Sequence, residues 1–368
     1  MSAGIYVHIP FCLQRCSYCS FYSTTSLQLR HDYVAALRTE AEKRTGFFDS
    51  GDTVSTLYFG GGTPSVLGTK MLGEIFSFLK NDFDLSKVEE FTVECNPDDI
   101  DGNFAENLLE TGVNRISMGI QSFDDEELKM LSRRHNVEKA VKAVEICRNA
   151  GFDNISIDLM YGLPGQSLEK WEYSIGKALQ LDVQHISAYC LSFEKNTPIY
   201  KFRNKAADDE LAEKMYYTLC DRLKENHFEH YEISNFALEN SRSKHNSAYW
   251  HGNSYLGLGP GAHSYDKKCR RWNIADLRQY IKSAEKGEIV FESEILSEKD
   301  KYNELLLTAL RTMEGLNKND IGQRFASYFS KNAEKFLKSG DLVEKNGFFF
   351  LNEKTYFMSD YIIRELMF

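Results

Sequence analysis

Three cysteines lie close together near the start of the chain. Cys12, Cys16 and Cys19 follow a CxxxCxxC pattern directly after a strand-like run, so a single loop can wrap a compact inorganic centre. A tetrahedral zinc would need a fourth nitrogen or sulfur ligand, and the sequence has no second CxxC and no HxxxH pair to supply it. A [4Fe-4S] cluster held by three thiolates keeps one iron open for a small molecule. The spacing therefore predicts such a cluster, and a zinc loop or buried free thiols are the alternatives.

A second group of polar and glycine residues lies where strand-like runs end. Its members recur at four such ends: Gly61, Gly62 and Thr63 after the second run, Glu94 in the third, Gln121 after the fourth, and Asp158 in the fifth. Taken singly, the glycines are typical of a strand-to-helix turn, and the carboxylates of solvated loops or helix caps. Because chemistry in parallel α/β structures gathers at the carboxyl ends of strands, we expect these residues to converge on the cysteine loop.

The elements that must position these residues alternate between strand and helix. Six β-branched or aromatic runs predict strands at residues 4–10, 54–60, 90–95, 115–120, 154–160 and 185–191. The clearest helical pattern covers residues 137–150, with apolar residues on one face and Gly151 as its C-terminal stop. Six strand-helix units in a row predict a parallel sheet, either open and doubly wound or curved into a partial barrel.

The last third of the chain breaks this alternation. Residues 244–265, rich in Gly, Tyr and His, predict an ordered loop, whereas residues 296–368 predict a small domain of helices and a β-hairpin that resembles a winged helix. We therefore expect three parts: 1–235 as the core, 236–295 as an extension, and 296–368 as the C-terminal domain.

Composition limits the possible partners and compartments. The 44 Lys and Arg against 54 Asp and Glu give a net charge of -10, which argues against a nucleic-acid partner. No apolar run is long enough to span a membrane, and no basic segment precedes the first apolar run. The 8 cysteines are sparse in 368 residues, which favours a reducing compartment. We expect a soluble, cytoplasmic protein.

The cysteine spacing is the signature of the radical S-adenosylmethionine superfamily, and further motifs narrow the resemblance. The segments GIYVHIPFCLQRCSYC, YFGGGTPS, ECNP, RISMGIQSF, SIDLMYGLPGQ, YEISNFA and GLGPGAHSY resemble the group that comprises the oxygen-independent coproporphyrinogen III oxidases and the HemW haem chaperones. This resemblance implies a partial (β/α)6 barrel with a HemN-type C-terminal domain. It also implies S-adenosylmethionine-contacting roles for Tyr6, Tyr18, Gly61, Gly62, Thr63, Glu94, Gln121, Arg133 and Asp158. For Arg133, a basic helix end facing water is the alternative.

Two features distinguish the branches of this group. The oxidases carry an amino-terminal extension and a further Cys two positions after the third ligand, where this chain has Phe21. His245, Asn246, Tyr249 and Trp250 form HNxxYW, which resembles the haem-binding motif of the chaperone branch. A buried histidine in an aromatic loop is the alternative interpretation of that motif.

These features favour the chaperone interpretation over the oxidase interpretation. Imidazole is a common axial ligand of haem iron, so we expect haem to bind through His245, with His251 and His263 as alternative ligands. The chaperone interpretation implies a haem-acceptor protein and allows peripheral membrane contact, and it predicts no decarboxylation of coproporphyrinogen. The oxidase interpretation implies radical decarboxylation of porphyrinogen propionates.

Overall fold

Six parallel strands form the centre of the fold in the computed structural model, which describes residues 2–368. They are β1 (Ser2–Ile9), β2 (Thr53–Gly61), β3 (Glu90–Cys95), β4 (Arg115–Gln121), β5 (Ile155–Tyr161) and β6 (His185–Cys190). The predicted strands are confirmed to within two residues at each end. Neighbours in the sheet are also neighbours in the chain, from β1 to β6. This order has no reversal, which a doubly wound sheet requires, so the sheet is the wall of a partial (β/α)6 barrel.

Helices connect these strands and cover the sheet. They are α1 (Arg30–Lys43), α2 (Gly68–Asp82), α3 (Gly102–Glu110), α4 (Asp125–Met130), α5 (Val137–Ala150), α6 (Leu168–Gln180) and α7 (Asp209–Glu225). Helix α5 begins after Asn136, whose side chain accepts a hydrogen bond from the Lys139 amide, and ends at Gly151 with φ of 109°. Asn at an N-cap and a left-handed Gly at a C-terminus each satisfy backbone groups that the helix leaves unpaired. The predicted helix is therefore confirmed at both ends.

The segment predicted as an ordered loop is instead regular structure, and that expectation was wrong. It forms α8 (Lys244–Trp250), β9 (Ser254–Leu258) and β10 (His263–Tyr265) after the hairpin β7 (Glu229–Glu232) and β8 (Asn235–Ala237). Strand β9 pairs in parallel with β1. A Cβ atom on Gly257 would clash with the backbone of His263, so the glycine that suggested a loop instead permits close approach of β10.

The sheet continues beyond β10 and is followed by the C-terminal part. Strands β11 (Cys269–Asn273) and β12 (Phe291–Ile295) flank α9 (Leu277–Glu285). The remaining elements are α10 (Glu298–Ala309), β13 (Leu316–Asn317), α11 (Gln323–Ser339), β14 (Leu342–Lys345), β15 (Phe348–Leu351) and α12 (Ser359–Leu366). Asn346 and Gly347 join β14 to β15 with φ of 53° and 81°, as expected for a two-residue hairpin turn.

The C-terminal elements share an apolar core of their own. Tyr302, Phe325 and Phe329 belong to it, and it is distinct from the core under the barrel. A separate core supports the expected small domain, while the boundaries at 235 and 295 stay predictions. Within residues 2–368, no helix has both the length and the apolar character needed to cross a membrane.

Candidate functional site

A cavity of about 480 Å³ opens at the carboxyl ends of the parallel strands. Its wall contains the cysteine loop and all but one of the residues expected to contact S-adenosylmethionine. These wall residues are Cys12, Cys16, Cys19, Tyr18, Gly61, Gly62, Thr63, Glu94, Gln121, Arg133 and Asp158. The structure therefore brings residues from six segments of the chain to one place, four of them at strand ends as predicted.

The cysteine loop is fixed by hydrogen bonds from neighbouring elements. The Cys12 amide donates to the Thr24 carbonyl at 2.9 Å, and the Ser17 amide donates to the Leu131 carbonyl at 3.0 Å. Within residues 2–368, no three His, Cys, Asp or Glu side chains converge on a point suited to one metal ion. The three thiols lie instead around the wall of the cavity.

Arg133 lies inside this site and not at a solvated helix end. Its Nη1 donates to the Cys16 sulfur at 3.2 Å, and its Nη2 donates to the Gly119 carbonyl. The neighbouring Arg134 forms ion pairs with Asp98 and Asp99 instead. Arg133 Nε is buried with no hydrogen-bond partner in the described chain. A donor left unpaired at the cavity wall is what an anionic ligand group would satisfy.

The glycine segment after β2 packs directly against the cysteine loop. Gly62 donates its amide to the Ile9 carbonyl at 2.8 Å, and Thr63 donates its amide to the Phe11 carbonyl at 2.8 Å. A Cβ atom on Gly62 would lie 2.8 Å from the Phe11 oxygen and 2.9 Å from the Pro10 carbonyl carbon. Only glycine fits this approach of two backbones.

Gly62→Ala is therefore expected to destabilise the fold by about 1–3 kcal/mol, the usual cost of overpacking against groups that cannot move. The control is Gly73→Ala in α2, where the nearest atom to a new Cβ is 4.0 Å away. That change should stabilise the fold by about 0.5–1 kcal/mol, because alanine is the better helix former. Urea unfolding of both variants checks the prediction, and equal stabilities would contradict it.

Two carboxyl groups in the cavity wall have raised pKa values. Burial raises the pKa of Glu94 to about 7, although the Tyr58 hydroxyl donates to it at 2.8 Å and the Gly61 amide donates at 3.1 Å. Burial also raises the pKa of Asp158 to about 6, against the lowering effects of Ser187, Arg115 and Arg133. Near neutral pH, a cationic ligand would therefore compete with protons for these two groups.

Backbone strain marks the end of β4. Gln121 has φ of 73° although it is not a glycine, and the pairing of β4 with β5 shifts register between Gly119 and Gln121. Such strain is concentrated at functional sites, where surrounding structure holds it. It turns the Gln121 side chain into the cavity wall, in line with its expected role.

Tyr6 is the expected ligand contact that the cavity does not include. Its hydroxyl bonds to His8 Nδ1 at 3.0 Å, and its ring packs against Tyr58 and His245. Tyr6 therefore lies among side chains inside the barrel, and a direct contact with the ligand is not what this structure shows. Sequence reasoning missed other wall residues, among them Ser117, Gly119, Met160 and Tyr189. Strand alternation could have found Met160, which lies two residues after Asp158 on the same face.

His245 is enclosed inside the barrel. Its Nδ1 bonds to the Thr56 hydroxyl at 2.8 Å, its Nε2 bonds to the Tyr249 hydroxyl at 2.8 Å, and its ring stacks on Tyr58 at 4.9 Å. Burial lowers the pKa of His245 to about 3, so the ring is neutral and both nitrogens are used. This geometry argues against the expectation that His245 is an axial haem ligand and matches the alternative of a buried, hydrogen-bonded histidine. Asn246 lies in the first turn of α8, where its amide donates to Ser243.

The rest of the HNSAYW segment lines a second cavity, of about 700 Å³, between α8 and α10. Its wall includes Tyr249, Trp250 and His251 from one side and Lys301, Glu304 and Thr308 from the other. This volume lies within the usual range of about 300–1,000 Å³ for small-molecule and cofactor sites. The two cavities share no wall residue.

Sequence comparisons relate the chain to named proteins. Residues 6–178 match the Radical SAM superfamily. The heme chaperone HemW of Lactococcus lactis is 35% identical over 89% of this chain and 86% of the relative. The heme chaperone HemW of Bacillus subtilis is 36% identical over 92% of this chain and 91% of the relative.

A structural comparison gives the same fold. The Escherichia coli coproporphyrinogen III oxidase HemN, a radical SAM enzyme, superposes with a TM-score of 0.86 and covers 99% of this chain and 90% of its own. Sequence identity is 23%, so this likeness concerns the fold.

Proposed function

Because the chain belongs to the HemW family within the radical SAM superfamily, we propose that it is a haem chaperone, which binds haem and transfers it to an acceptor protein. The observation that carries this proposal is the second cavity. It is built by the HNSAYW segment and closed by α10, and it is large enough for a flat cofactor. The same cavity presents aromatic rings and two basic residues, Arg270 and Lys301, which suit an apolar macrocycle with carboxylate groups.

The first cavity fits a cluster and S-adenosylmethionine, the cofactors of the superfamily. Cys12, Cys16 and Cys19 would hold the cluster, since they supply three thiol ligands at one cavity wall. When bound and reduced, such a cluster supplies an electron to S-adenosylmethionine at its open iron.

The chain's own groups also suit S-adenosylmethionine. Glu94 and Asp158 would accept hydrogen bonds from its ammonium and hydroxyl groups, and the unpartnered Nε of Arg133 would donate to its carboxylate. Gly62 packs against the backbone of Pro10 and Phe11, and Gly61 against the His8 ring, so neither position can carry a side chain beside the ligand.

Binding of S-adenosylmethionine is expected to weaken at low pH. The Glu94 carboxylate is present above its pKa of about 7 and is lost as the pH falls through that value. Each pH unit below the pKa should therefore lower the affinity up to about tenfold. Asp158, with a pKa of about 6, adds a second, lower step, and Arg115 and Tyr58 are the other groups that act on Glu94.

Calorimetry between pH 5.5 and 8 on wild type and Glu94→Gln measures this dependence. The Gln variant should bind more weakly at pH 8 and should lack the step near pH 7, while the step from Asp158 remains. Identical pH profiles for the two proteins would contradict the assignment of Glu94.

Haem titration followed by transfer tests the proposed chaperone function. The purified protein should bind about one haem per chain, seen as a Soret band, and should release it to excess apomyoglobin, used as an artificial acceptor. As a control, haem pre-incubated with serum albumin gives the rate for transfer from an unrelated carrier. If the wild-type protein shows no saturable Soret band, the proposal that it is a haem chaperone is wrong.

The proposal also covers the cellular compartment and the partners of the protein. All eight cysteines lie within the described residues and are free thiols, and the proposed cluster requires thiolate ligands. Both points suit a cytoplasmic location. The partner would be a haem-acceptor protein. Contact with a membrane surface is an additional hypothesis. The acidic net charge of -10 makes nucleic acid a poor partner.

A further inference from the structure

His251 and His245, the two histidines of the HNSAYWH segment, have different surroundings. His251 is the first residue after α8, its side chain is exposed, and it lines the second cavity. No group in residues 2–368 bonds to its imidazole ring, and its backbone amide donates to the Ser247 and Tyr249 carbonyls. Both ring nitrogens are therefore available to a ligand in the cavity.

The other two histidines near this segment are committed elsewhere. His245 uses both ring nitrogens inside the barrel and would have to break two hydrogen bonds and rotate to reach the cavity. His263 stacks on Trp272 at 6.1 Å and does not line the cavity. Among the histidines of residues 2–368, only His251 lines the second cavity.

The wall around His251 also suits the rest of a haem. Tyr255 and Tyr265 provide aromatic surface, and Trp250 lies beside them with its Nε1 buried and unpartnered in the described chain. Arg311 covers the Trp250 ring at 5.0 Å from its centre, so this ring is held in place. These rings offer flat apolar surface to a porphyrin face, beside charged wall residues: Arg270, Lys301, Glu304, Glu314 and Asp320.

The cavity has one cation without an acidic partner. Lys301 forms no ion pair within residues 2–368, whereas Arg270 pairs with Glu294 and Glu304. Lys301 projects from α10, across the cavity from the segment that bears His251. A haem bound to His251 could therefore direct a propionate toward Lys301.

Resting on the proposed haem function, we infer that His251 is the axial ligand of the haem iron and that Lys301 binds a propionate. His245 is then a positioning residue. It lies four residues before Tyr249 on the same face of α8, and its hydrogen bonds tie that helix to Thr56 on β2. The hydrogen bond between His245 and Tyr249 explains why the segment has His and Tyr four residues apart although the His245 ring is buried.

The test compares His251→Ala with His245→Ala in ferric haem binding, using the Soret band and electron paramagnetic resonance. His251→Ala should shift the Soret band, change the g-values and weaken binding at least tenfold, since losing even an outer-shell partner costs about 10–100-fold in metal affinity. Added imidazole should restore the wild-type spectrum in His251→Ala, because it can occupy the vacated position. His245→Ala should weaken binding without changing the g-values, and imidazole should not restore it.

Lys301→Glu adds a second readout, with Lys331→Glu on the surface of α11 as its matched control. Lys301→Glu should weaken binding of haem more than binding of its dimethyl ester, in which the propionate charge is absent, and Lys331→Glu should change neither.

The failures of the two proposals are distinguishable. If wild type binds no haem, the haem function itself is wrong. If wild type binds haem but His251→Ala keeps the wild-type g-values, while His245→Ala loses them and imidazole restores them, the ligand is His245 and this inference is overturned.

Discussion

Replacing Cys12, Cys16 and Cys19 together by alanine is expected to remove nearly all cluster iron, from about four atoms per chain to less than about 0.4 after anaerobic reconstitution. The reason is geometric. The three thiols share one cavity wall, and no other cysteine except Cys95 reaches it. Cys95 bonds to the Val93 carbonyl inside the core, so it is a poor substitute ligand. Iron analysis and the visible absorbance of the reconstituted protein measure the loss.

The fold should survive this triple change. Cys16 and Cys19 are half-buried, so little core volume is removed, and the loop keeps its backbone hydrogen bonds to Thr24 and Leu131. The matched control replaces three other thiols, Cys190, Cys220 and Cys269, and should keep wild-type iron content. Circular dichroism should show folded protein in both cases. Retention of about four irons in the Cys12, Cys16 and Cys19 variant would place the cluster elsewhere.

The strand-end argument predicted where the first cavity lies because it depends on topology alone. Once six strands run parallel in chain order, the residues after Gly60 and the side chains of Glu94 and Asp158 must come to one end of the barrel. No side-chain detail is needed for that step. The CxxxCxxC loop follows β1 and joins the same end by the same rule.

Contacts of residues inside the barrel were harder to predict. Strand alternation tells which face of the sheet a side chain lies on, but not whether it reaches the cavity or is covered by other side chains. Tyr6 and Glu94 both point inward, yet Glu94 reaches the cavity and Tyr6 is covered by Tyr58 and His245. The position of His245 depends on a long-range contact: β9 pairs with β1, and α8, which precedes β9, packs against β1 and β2. A glycine-rich sequence gave no periodic signal for that pairing.

A chain of contacts connects the two cavities. Glu94 in the first cavity accepts a hydrogen bond from Tyr58, the Tyr58 ring stacks on His245, and His245 bonds to Tyr249 in the wall of the second cavity. A ligand bound at Glu94 would alter the charge next to the Tyr58 hydroxyl, one contact away from His245. The two cavities themselves stay separate.

That separation leads to the second prediction: the reconstituted protein should not decarboxylate coproporphyrinogen. The first cavity has a volume of about 480 Å³, in the lower half of the usual range of about 300–1,000 Å³ for ligand sites, and Phe21 at its wall is 70% exposed. Its wall has two cations, Arg15 and Arg133. Arg133 bonds to Cys16 and the Gly119 carbonyl, and its unpartnered Nε would hold the S-adenosylmethionine carboxylate. Arg15 alone is then left for four substrate carboxylates.

An anaerobic assay with reductant and S-adenosylmethionine measures this directly, with an authentic oxygen-independent coproporphyrinogen III oxidase as the positive control. This protein should release carbon dioxide at least about a thousandfold more slowly than the control, because removing the geometry that orients a reacting group costs several kcal/mol of barrier. The prediction is wrong if this protein forms protoporphyrinogen at a rate near that of the control and the Cys12, Cys16 and Cys19 variant does not. The first cavity would then be a porphyrinogen site. A tetrapyrrole held in the second cavity lies behind Tyr249, His245 and Tyr58 from the cluster loop, so bound haem has no direct route to that chemistry.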